Sequence, residues 1–298
     1  MKINYLLSTF SFLTFSFAVF GQEHQSSVKR ISITDIYIHS GFTLERTNRN
    51  SFSDFQLLAP QSELLNNDMT GFADGNGLGI SGNSNLSIML GIQFSDKEKS
   101  FYRANPLLRL GLSYFSGSAV SGGLHKEHRS PHDTLVSNQT GQSIYIDSII
   151  SESYGMQYSS EQLRIDGSLI FRTNPEARWS IYTGLGISAG ISINANTRIS
   201  YNESKRIDEY KKLQNYSSNN YISNKYESEV FTNKINFGFT TYIPMGIDFR
   251  IGNKRDFWKR THLFYELRPA LNISSIPELR TITNVSFQQG IGLRVTFN

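Results

Sequence analysis

Three histidines near the middle of the chain are the residues whose types most readily suggest chemistry. His125, His128 and His132 lie in one short segment, next to Ser130 and Asp133. Imidazoles bind zinc, and serine, histidine and aspartate can form a hydrolytic triad. Neither helical nor strand spacing places the three imidazoles together, and nothing orders Ser130, His132 and Asp133 as nucleophile, base and orienting group. The segment therefore favours a solvated loop, and we predict no catalytic residue, metal ligand or cofactor here.

A second set of charged residues recurs at alternate positions within long apolar segments. Successive side chains of a strand point to opposite faces, so each of these segments would have one apolar and one polar face. The polar faces carry the following charges: Arg109, Arg164, Asp166, Asp248, Arg250, Glu266, Arg268 and Arg294. Inside a closed barrel they would pair with one another as a structural plug, or alternatively would line a gated polar path.

Eight segments of the chain position these charges, and in each of them apolar and polar residues alternate with a period of two. They span residues 31–45, 84–94, 105–117, 161–172, 178–195, 235–251, 261–273 and 284–298. The fifth is the most regular, with Trp179, Ile181, Leu185 and Ile187 among its apolar positions. Such long alternating segments predict strands rather than helices.

The connections between the segments alternate strictly between two kinds. Those at 95–104, 173–177 and 252–260 are short and polar, whereas 46–83, 118–160, 196–234 and 274–283 are long or lie at the opposite end. Outer-membrane barrels combine tight periplasmic turns with extended outer loops. We therefore predict a closed antiparallel up-and-down transmembrane β-barrel, all-β, with eight strands and both termini in the periplasm. We interpret 142–151 as an outer-loop hairpin with 154–159. The alternative is a ten-stranded barrel that uses this segment and one within 46–83 as strands.

A membrane barrel and a soluble barrel differ in which face of each strand points into the interior. Eight strands enclose a space that side chains can fill, and the charged, glycine-rich face would suit that space, which leaves the apolar face for lipid. A soluble barrel would need the reverse. The composition agrees with this interpretation: hydrophobic residues are only 38% of the chain, with 21 Phe and 15 Tyr against 5 Met.

The N-terminus predicts export. Residues 1–21 have one lysine, an apolar run and small residues before Gln22, as in a signal peptide. Residues 22–30 would be a periplasmic lead, and residues 31–298 the barrel with its outer loops. Removing 1–21 deletes Lys2 and no acid, so the formal charge falls from +4 to +3, which is too small to indicate nucleic-acid binding. The chain has no cysteine, which excludes disulfides and thiolate sites.

Aromatic residues and prolines give two further expectations. Trp179, Phe257 and Trp258, with Phe101 and Tyr102, cluster at the short turns, where they would form a periplasmic girdle at the membrane interface. Pro244 and Pro269 lack amide donors and would lie nearly opposite each other, so we expect a local bulge there.

At this point the chain resembles small eight-stranded outer-membrane barrels of the OmpX and OmpA membrane-domain type, and the outer-membrane β-barrel proteins of Bacteroidota. The resemblance covers residues 31–298 as a pattern of spans and turns, together with the terminal aromatic Phe297, and includes no active-site signature. It implies location in the outer membrane, contact with outer-membrane lipid, and recognition of Phe297 as an assembly signal by the barrel-assembly machinery.

The long loops are the predicted site of function. Loop 196–234 is rich in tyrosine, asparagine, serine and lysine, and tyrosine offers a large contact area at low entropic cost. We therefore expect a structural or surface-interaction protein, not an enzyme, that binds a surface ligand or protein through loops 46–83, 118–160 and 196–234. A narrow solute channel and an outer-membrane enzyme acting on lipid or peptide are the alternatives.

Overall fold

The structure, a computed structural model, describes residues 30–46, 48–75, 80–95, 106–136, 139, 141, 143–173, 177–209 and 221–297. Its strands are β1 (Arg30–Arg46), β2 (Asn48–Arg49), β3 (Ala73–Asp74), β4 (Ile80–Ser95), β5 (Leu107–Val136), β6 (Ser143–Arg172), β7 (Trp179–Glu209), β8 (Tyr221–Thr232), β9 (Phe237–Tyr242), β10 (Met245–Arg250), β11 (Thr261–Ser275) and β12 (Thr281–Thr296). Two short helices, α1 (Phe52–Leu58) and α2 (Asp256–Arg260), and a 3-10 turn (Leu64–Asn66) complete it. The predicted signal peptide and all but the end of the N-terminal lead lie outside the described residues, as do Phe101 and Tyr102.

Eight strand positions close into an antiparallel ring. The order is β1, β4, β5, β6, β7, β9 with β10, β11 and β12, and β12 pairs back to β1. β9 and β10 lie end to end between β7 and β11 and count as one position. The predicted eight-stranded barrel is confirmed, and the ten-stranded alternative is wrong. Residues 143–151 belong to β6, which already has its place in the ring. Between β1 and β4 the described residues form only the two-residue strands β2 and β3, which pair with β5.

The outer hairpin in this part of the chain is not the one predicted between 142–151 and 154–159. β6 runs without a break from Ser143 to Arg172, and β5 pairs with it from Leu107 to Val136. The hairpin therefore lies between β5 and β6 and continues the barrel strands beyond the membrane. Period-two alternation persists through this polar stretch, so the ladder has no reason to stop where the apolar face ends.

The expected bulge at the prolines is absent. Tyr242 pairs with Ala270 and Met245 with Leu267, so the register between the strands is unchanged across Pro244. The Ile243 amide donates to the Pro269 carbonyl over 3.0 Å. Because Pro244 has no amide to donate, the ladder is interrupted there without a shift, which divides β9 from β10.

The two faces of the ring lie as the alternation predicts. Leu185 is 69% exposed and other apolar residues on the same face form an outward belt, whereas Ser188 and all the predicted charged positions except Arg250 are buried inside. Apolar side chains outside and polar side chains inside are the arrangement that lipid requires of a β-barrel. The protein is thus an outer-membrane β-barrel, and by the usual orientation of such barrels the end with the short turns faces the periplasm. No helix in the described ranges is long and apolar enough to cross a membrane.

Candidate functional site

The centre of the lumen holds a carboxylate between two arginines. Arg109 on β5 contacts Glu266 on β11 through its two terminal guanidinium nitrogens, Nη1 to Oε2 at 2.6 Å and Nη2 to Oε1 at 3.3 Å. Arg268 Nε donates to the other side of the same carboxylate, and the Tyr182 hydroxyl donates to Oε2 at 2.6 Å. Arg109 and Glu266 are both 0% exposed. A buried charge needs such full pairing, because desolvation of an unpaired ion is very costly.

A second ionic group lies nearer the periplasmic end. The Asp248 carboxylate pairs with Arg294 at 2.9 Å and with Arg172 at 3.3 Å, and it contacts His262 Nδ1 at 2.5 Å. Arg294 Nε lies 3.0 Å from Asp35 Oδ1. Arg172, His262 and Asp35 were not among the residues singled out from the sequence. They share the inward phase of their strands, so extending the alternation to the strand ends would have found them.

Toward the outer end, amides and hydroxyls replace the ion pairs. Arg164 donates to Gln162 Oε1 at 2.8 Å and to Thr240 Oγ1 at 2.9 Å, and its guanidinium lies 4.3 Å from the centre of the Phe115 ring. Asp166 accepts from the Tyr242 hydroxyl and lies 3.6 Å from Arg268 Nη1. These contacts join the outer layer to the central one. We call this set the lumen network: Asp35, Arg109, Arg164, Asp166, Arg172, Asp248, His262, Glu266, Arg268 and Arg294.

Arg250 lies apart from the lumen network. Its side chain is half-buried at the end of β10, and it takes part in none of the ion pairs among the described residues. The sequence interpretation included it because it shares the inward phase with Asp248, two positions earlier. At the last residue of the strand the side chain keeps part of its surface exposed, so its guanidinium does not need a buried partner.

The lumen side chains leave very little space between them. Two cavities among the described residues measure about 20 and 10 Å³, the first beside Asp166 and Arg268 and the second beside Glu45 and Asn83. Each has room for about one water molecule. Inward-facing glycines make the filling possible, since a Cβ at Gly246 or Gly292 would collide with the ring of Tyr182 or Phe264, respectively.

Above the lumen, the segment after β1 folds over the mouth of the barrel. We call residues 50–75 the outer cap. Its helix α1 begins with a capping box between Ser51 and Asp54. Phe55 and Leu58 of α1 and Leu65 of the 3-10 turn are buried against Tyr158 of β6 and Ile199 of β7. Burial of these apolar side chains stabilises the cap in the same way as a small hydrophobic core.

Polar contacts fix the outer cap to the strands. Glu229 of β8 accepts hydrogen bonds from the Ser62 hydroxyl at 2.5 Å and the Leu64 amide at 3.3 Å. Asn233 donates to the Leu58 carbonyl at 2.7 Å, and Lys126 donates to the Thr70 carbonyl at 3.2 Å. The cap is therefore held at both its helical and its turn portions. Sequence reasoning treated 46–83 as a loop, because the apolar residues of α1 have no partner until β6 and β7 are in place.

The strands that support the cap form a sheet that rises beyond the lipid belt. This protruding sheet consists of 118–136 of β5, 143–160 of β6, 196–209 of β7 and all of β8. Its inward face carries the cap, and its outward face is exposed. On the outward face two rows of side chains lie next to each other. The first row is small, with Gly123, Gly155, Ser200 and Ser228, and the second contains His125, Ser153, Asn202 and Tyr226.

One tyrosine on the inward face of the protruding sheet lies between two carboxylates. The Tyr201 hydroxyl is 2.9 Å from Glu152 Oε1 and 3.1 Å from Glu203 Oε2. Burial, and the two carboxylates that accept hydrogen bonds from its hydroxyl, raise the pKa of Tyr201. The phenol is thereby held in its neutral, hydrogen-bonding form.

The three histidines are spread along the exposed part of β5. His125 pairs with Ser153 and His128 with Ile150, and His132 lies at the register shift between Pro131 and Asp133. Asp133 accepts from the Thr134 amide rather than from a histidine. Among the described residues no group of three or more His, Asp and Glu side chains could hold a metal ion.

The aromatic residues at the short-turn end are exposed. Trp179 packs on Phe249 with ring centres 4.3 Å apart, and Phe257 contacts Trp258 at 4.9 Å. At the same end the amide of Phe297 donates to the Thr34 carbonyl at 2.7 Å, so the last aromatic is bound to the first strand of the ring.

Comparison with known proteins gives similarity at the level of solved structures. The sequence matches no family model and no curated protein. The surface protein NspA of Neisseria aligns with 90% of this chain and 99% of its own, with 11% identity and a TM-score of 0.35. The attachment invasion locus protein Ail of Yersinia pestis aligns with 88% of this chain and 99% of its own, with 10% identity and a TM-score of 0.24.

Proposed function

We propose that the protein is a non-enzymatic surface-interaction barrel of the small eight-stranded type, with the protruding sheet as its binding surface. The observation that supports this most directly is strand length. A tilted strand crosses the membrane in about 9–11 residues, yet β5 and β6 have 30 residues each and β7 has 31. More than half of each strand therefore stands outside the lipid, where it serves no purpose in spanning.

The outward face of the protruding sheet has properties that suit a binding surface. Glycine and serine in adjacent strands make its centre flat, so a partner can approach the backbone closely. Tyr226, which is 65% exposed, and Val230 lie along its margin. Exposed tyrosine on a rigid element contributes contact area at little cost in conformational entropy.

The outer cap makes this surface rigid before any partner arrives. It packs on the inward face of β6 and β7, and Glu229 and Asn233 connect it to the chain around β8. Binding by a preorganised surface loses less entropy than binding by a mobile loop. This supports recognition by the folded sheet over recognition by flexible loops.

Adhesion measurements test the proposal. Bacteria that display the wild-type protein should adhere to cultured cells or immobilised extracellular-matrix proteins more than bacteria that lack it. Ser153→Arg with Ser200→Arg places two bulky charges on the flat face, and adhesion should fall about tenfold or more. The matched control, Gln61→Arg with Asn66→Arg, adds the same charge to exposed positions of the cap and should retain adhesion. Loss in the control alone would contradict the proposal.

The competing channel function has its own measurement. The lumen network and the two small cavities support a closed interior, so the purified protein should give no large, stable conductance in planar bilayers. Steady single-channel currents from the wild-type protein would favour a narrow channel instead.

A further inference from the structure

The turn between β10 and β11 differs in chemistry from the rest of the molecular surface. It contains α2, whose Phe257 is 63% exposed and whose Trp258 is 42% exposed. Trp179, on the neighbouring strand β7, is 61% exposed and packs on Phe249. Amphipathic rings at this level of a membrane barrel lie at the boundary between acyl chains and headgroups.

Basic residues adjoin these rings on the side away from the lipid belt. We call them the basic rim, which consists of Arg178, Lys254, Arg255, Lys259 and Arg260. Asp256 is the one acidic residue within the turn, and it pairs with Lys259 at 3.1 Å. In the described part of the chain, no carboxylate lies within ion-pair distance of Arg178, Lys254, Arg255 or Arg260. The Arg178 guanidinium instead lies 5.1 Å from the centre of the Phe249 ring.

The opposite end of the molecule has the opposite balance of charge. Exposed or half-exposed acidic residues there include Glu63, Asp68, Asp74, Glu127, Asp133, Glu161, Glu227, Glu229 and Glu278. Basic residues there, such as Lys126, Arg129 and Lys225, have carboxylates close by. The positive charge of the basic rim is therefore a local feature, not the result of a generally basic surface.

We infer that the basic rim binds the phosphate groups of anionic glycerophospholipids in the periplasmic leaflet. Arg178 precedes Trp179 and Lys259 follows Trp258 in the chain, so rings at the headgroup boundary place the charges at the depth of the phosphates. A zwitterionic headgroup offers a phosphate together with a cation, which reduces its attraction. A headgroup with net negative charge, such as phosphatidylglycerol, matches the rim in both depth and sign.

Lipid titration of the purified, folded protein tests this inference. Native mass spectrometry in detergent would compare phosphatidylglycerol with phosphatidylethanolamine of the same acyl chains. The wild-type protein should bind phosphatidylglycerol about tenfold more tightly. The variant Lys254→Gln, Arg255→Gln, Lys259→Gln, Arg260→Gln should lose that preference.

A matched variant at the other end controls for net charge. Arg198→Gln, Lys205→Gln, Arg206→Gln and Lys225→Gln remove the same charge from the protruding sheet and should leave the preference intact. If the rim variant fails to fold on a heat-modifiability gel, Lys254→Gln with Arg255→Gln, which lie before α2, should still reduce the preference in part. Equal binding of the two lipids by the wild-type protein would overturn the inference.

Lipid A provides a second phosphate-bearing probe that belongs to the outer leaflet. If phosphatidylglycerol and lipid A both bind best to the wild-type protein and lose affinity only in the protruding-sheet variant, the phosphate site is at the other end and the inference is wrong. Loss of phosphatidylglycerol preference only in the rim variant supports it. A rim that instead contacts an acidic periplasmic protein would show no lipid preference at all.

Discussion

Glu266 is the residue on which the lumen network depends most, because it neutralises Arg109 and Arg268 together. Glu266→Ala would leave both guanidinium groups buried without a carboxylate between them. Removal of one partner from a buried ion pair costs roughly 3–5 kcal/mol. We expect a loss of this order in the free energy of unfolding, measured by urea titration of the heat-modifiable form. Glu63→Ala, on the exposed surface of the cap, should leave the unfolding midpoint unchanged, and a midpoint equally insensitive to Glu266→Ala would show that the lumen is hydrated.

Leu185 tests the outward face of the barrel. It lies on β7 opposite Leu169, within the lipid belt. Leu185→Arg should cost about 2–4 kcal/mol near the middle of the bilayer, seen as a lower yield of folded protein in lipid vesicles. Ser188, on the inward face of the same strand, provides the comparison. If Ile187→Arg assembled normally while Ser188→Val did not, the faces would be inverted.

Tyr201 gives the protruding sheet a defined response to alkaline pH. An unfolded tyrosine loses its phenol proton at a pH of about 10. Because the pKa of Tyr201 is raised in the folded protein, the native state keeps this proton at higher pH. The stability that Tyr201 contributes is thus complete below a pH of about 10 and decreases as the pH rises through the folded value. Phenolate absorbance of the wild-type protein should show a group of late-titrating tyrosines, and Tyr201→Phe should reduce that group by one. Titration of all tyrosines near pH 10 would contradict this.

At the residue scale, the face of the strand on which each charged side chain lies could be predicted from the sequence. The residue with which it pairs could not. The period of two places Arg109, Asp248 and Glu266 on one face, and the structure brings them into the lumen. Pairing depends on register between strands that are far apart in sequence, such as Arg109 on β5 with Glu266 on β11, which the alternation does not contain. Arg250 shows the limit of phase alone, since the inward face of a strand end can open to water.

At the scale of elements, Phe55 tests whether α1 is held by its contact with the protruding sheet. Phe55 is fully buried, and a Cβ added at Gly122 would lie 2.7 Å from its ring. Phe55→Ala should destabilise the outer cap by about 3–5 kcal/mol. Hydrogen exchange in residues 50–75 should therefore become faster, while exchange in the barrel strands stays slow. Leu57→Ala, at an exposed position of the same helix, should not change the exchange.

Strands with an apolar, lipid-facing side could be located from the sequence. Elements that pack against other parts of the same protein could not. All eight barrel strands lie where the alternation predicts them. The outward faces of the upper parts of β5, β6 and β7 are polar, so the apolar signal stops at the membrane although the ladder continues. Helix α1 has seven residues, too few for a clear helical period, and Phe55 and Leu58 acquire a partner only from Tyr158 and Ile199.

For the whole molecule, the barrel and the protruding sheet should behave as separable parts. Glu203 of β7 and Lys225 of β8 face each other, and the paired residues beyond them include Ser204 with Asn224 and Arg206 with Tyr221. Replacing 204–224 by Asn-Gly would allow a tight turn between these two residues. The residues of this region that fix the cap, Glu229 and Asn233, remain in the shortened chain.

The shortened protein should therefore fold and insert with unchanged heat-modifiable migration, because the ring of eight strands and the lumen network lie entirely below the deletion. Adhesion should weaken, since residues 204–209 of β7 and 221–224 of β8, which extend the outward face beyond the row of Asn202 and Tyr226, are lost. Asn-Gly inserted between Ile207 and Asp208 without a deletion is the control for the added turn and should retain adhesion. Failure of the deletion variant to insert would mean that the hairpin takes part in assembly. The barrel would then depend on the protruding sheet for folding, and the two would not be separable.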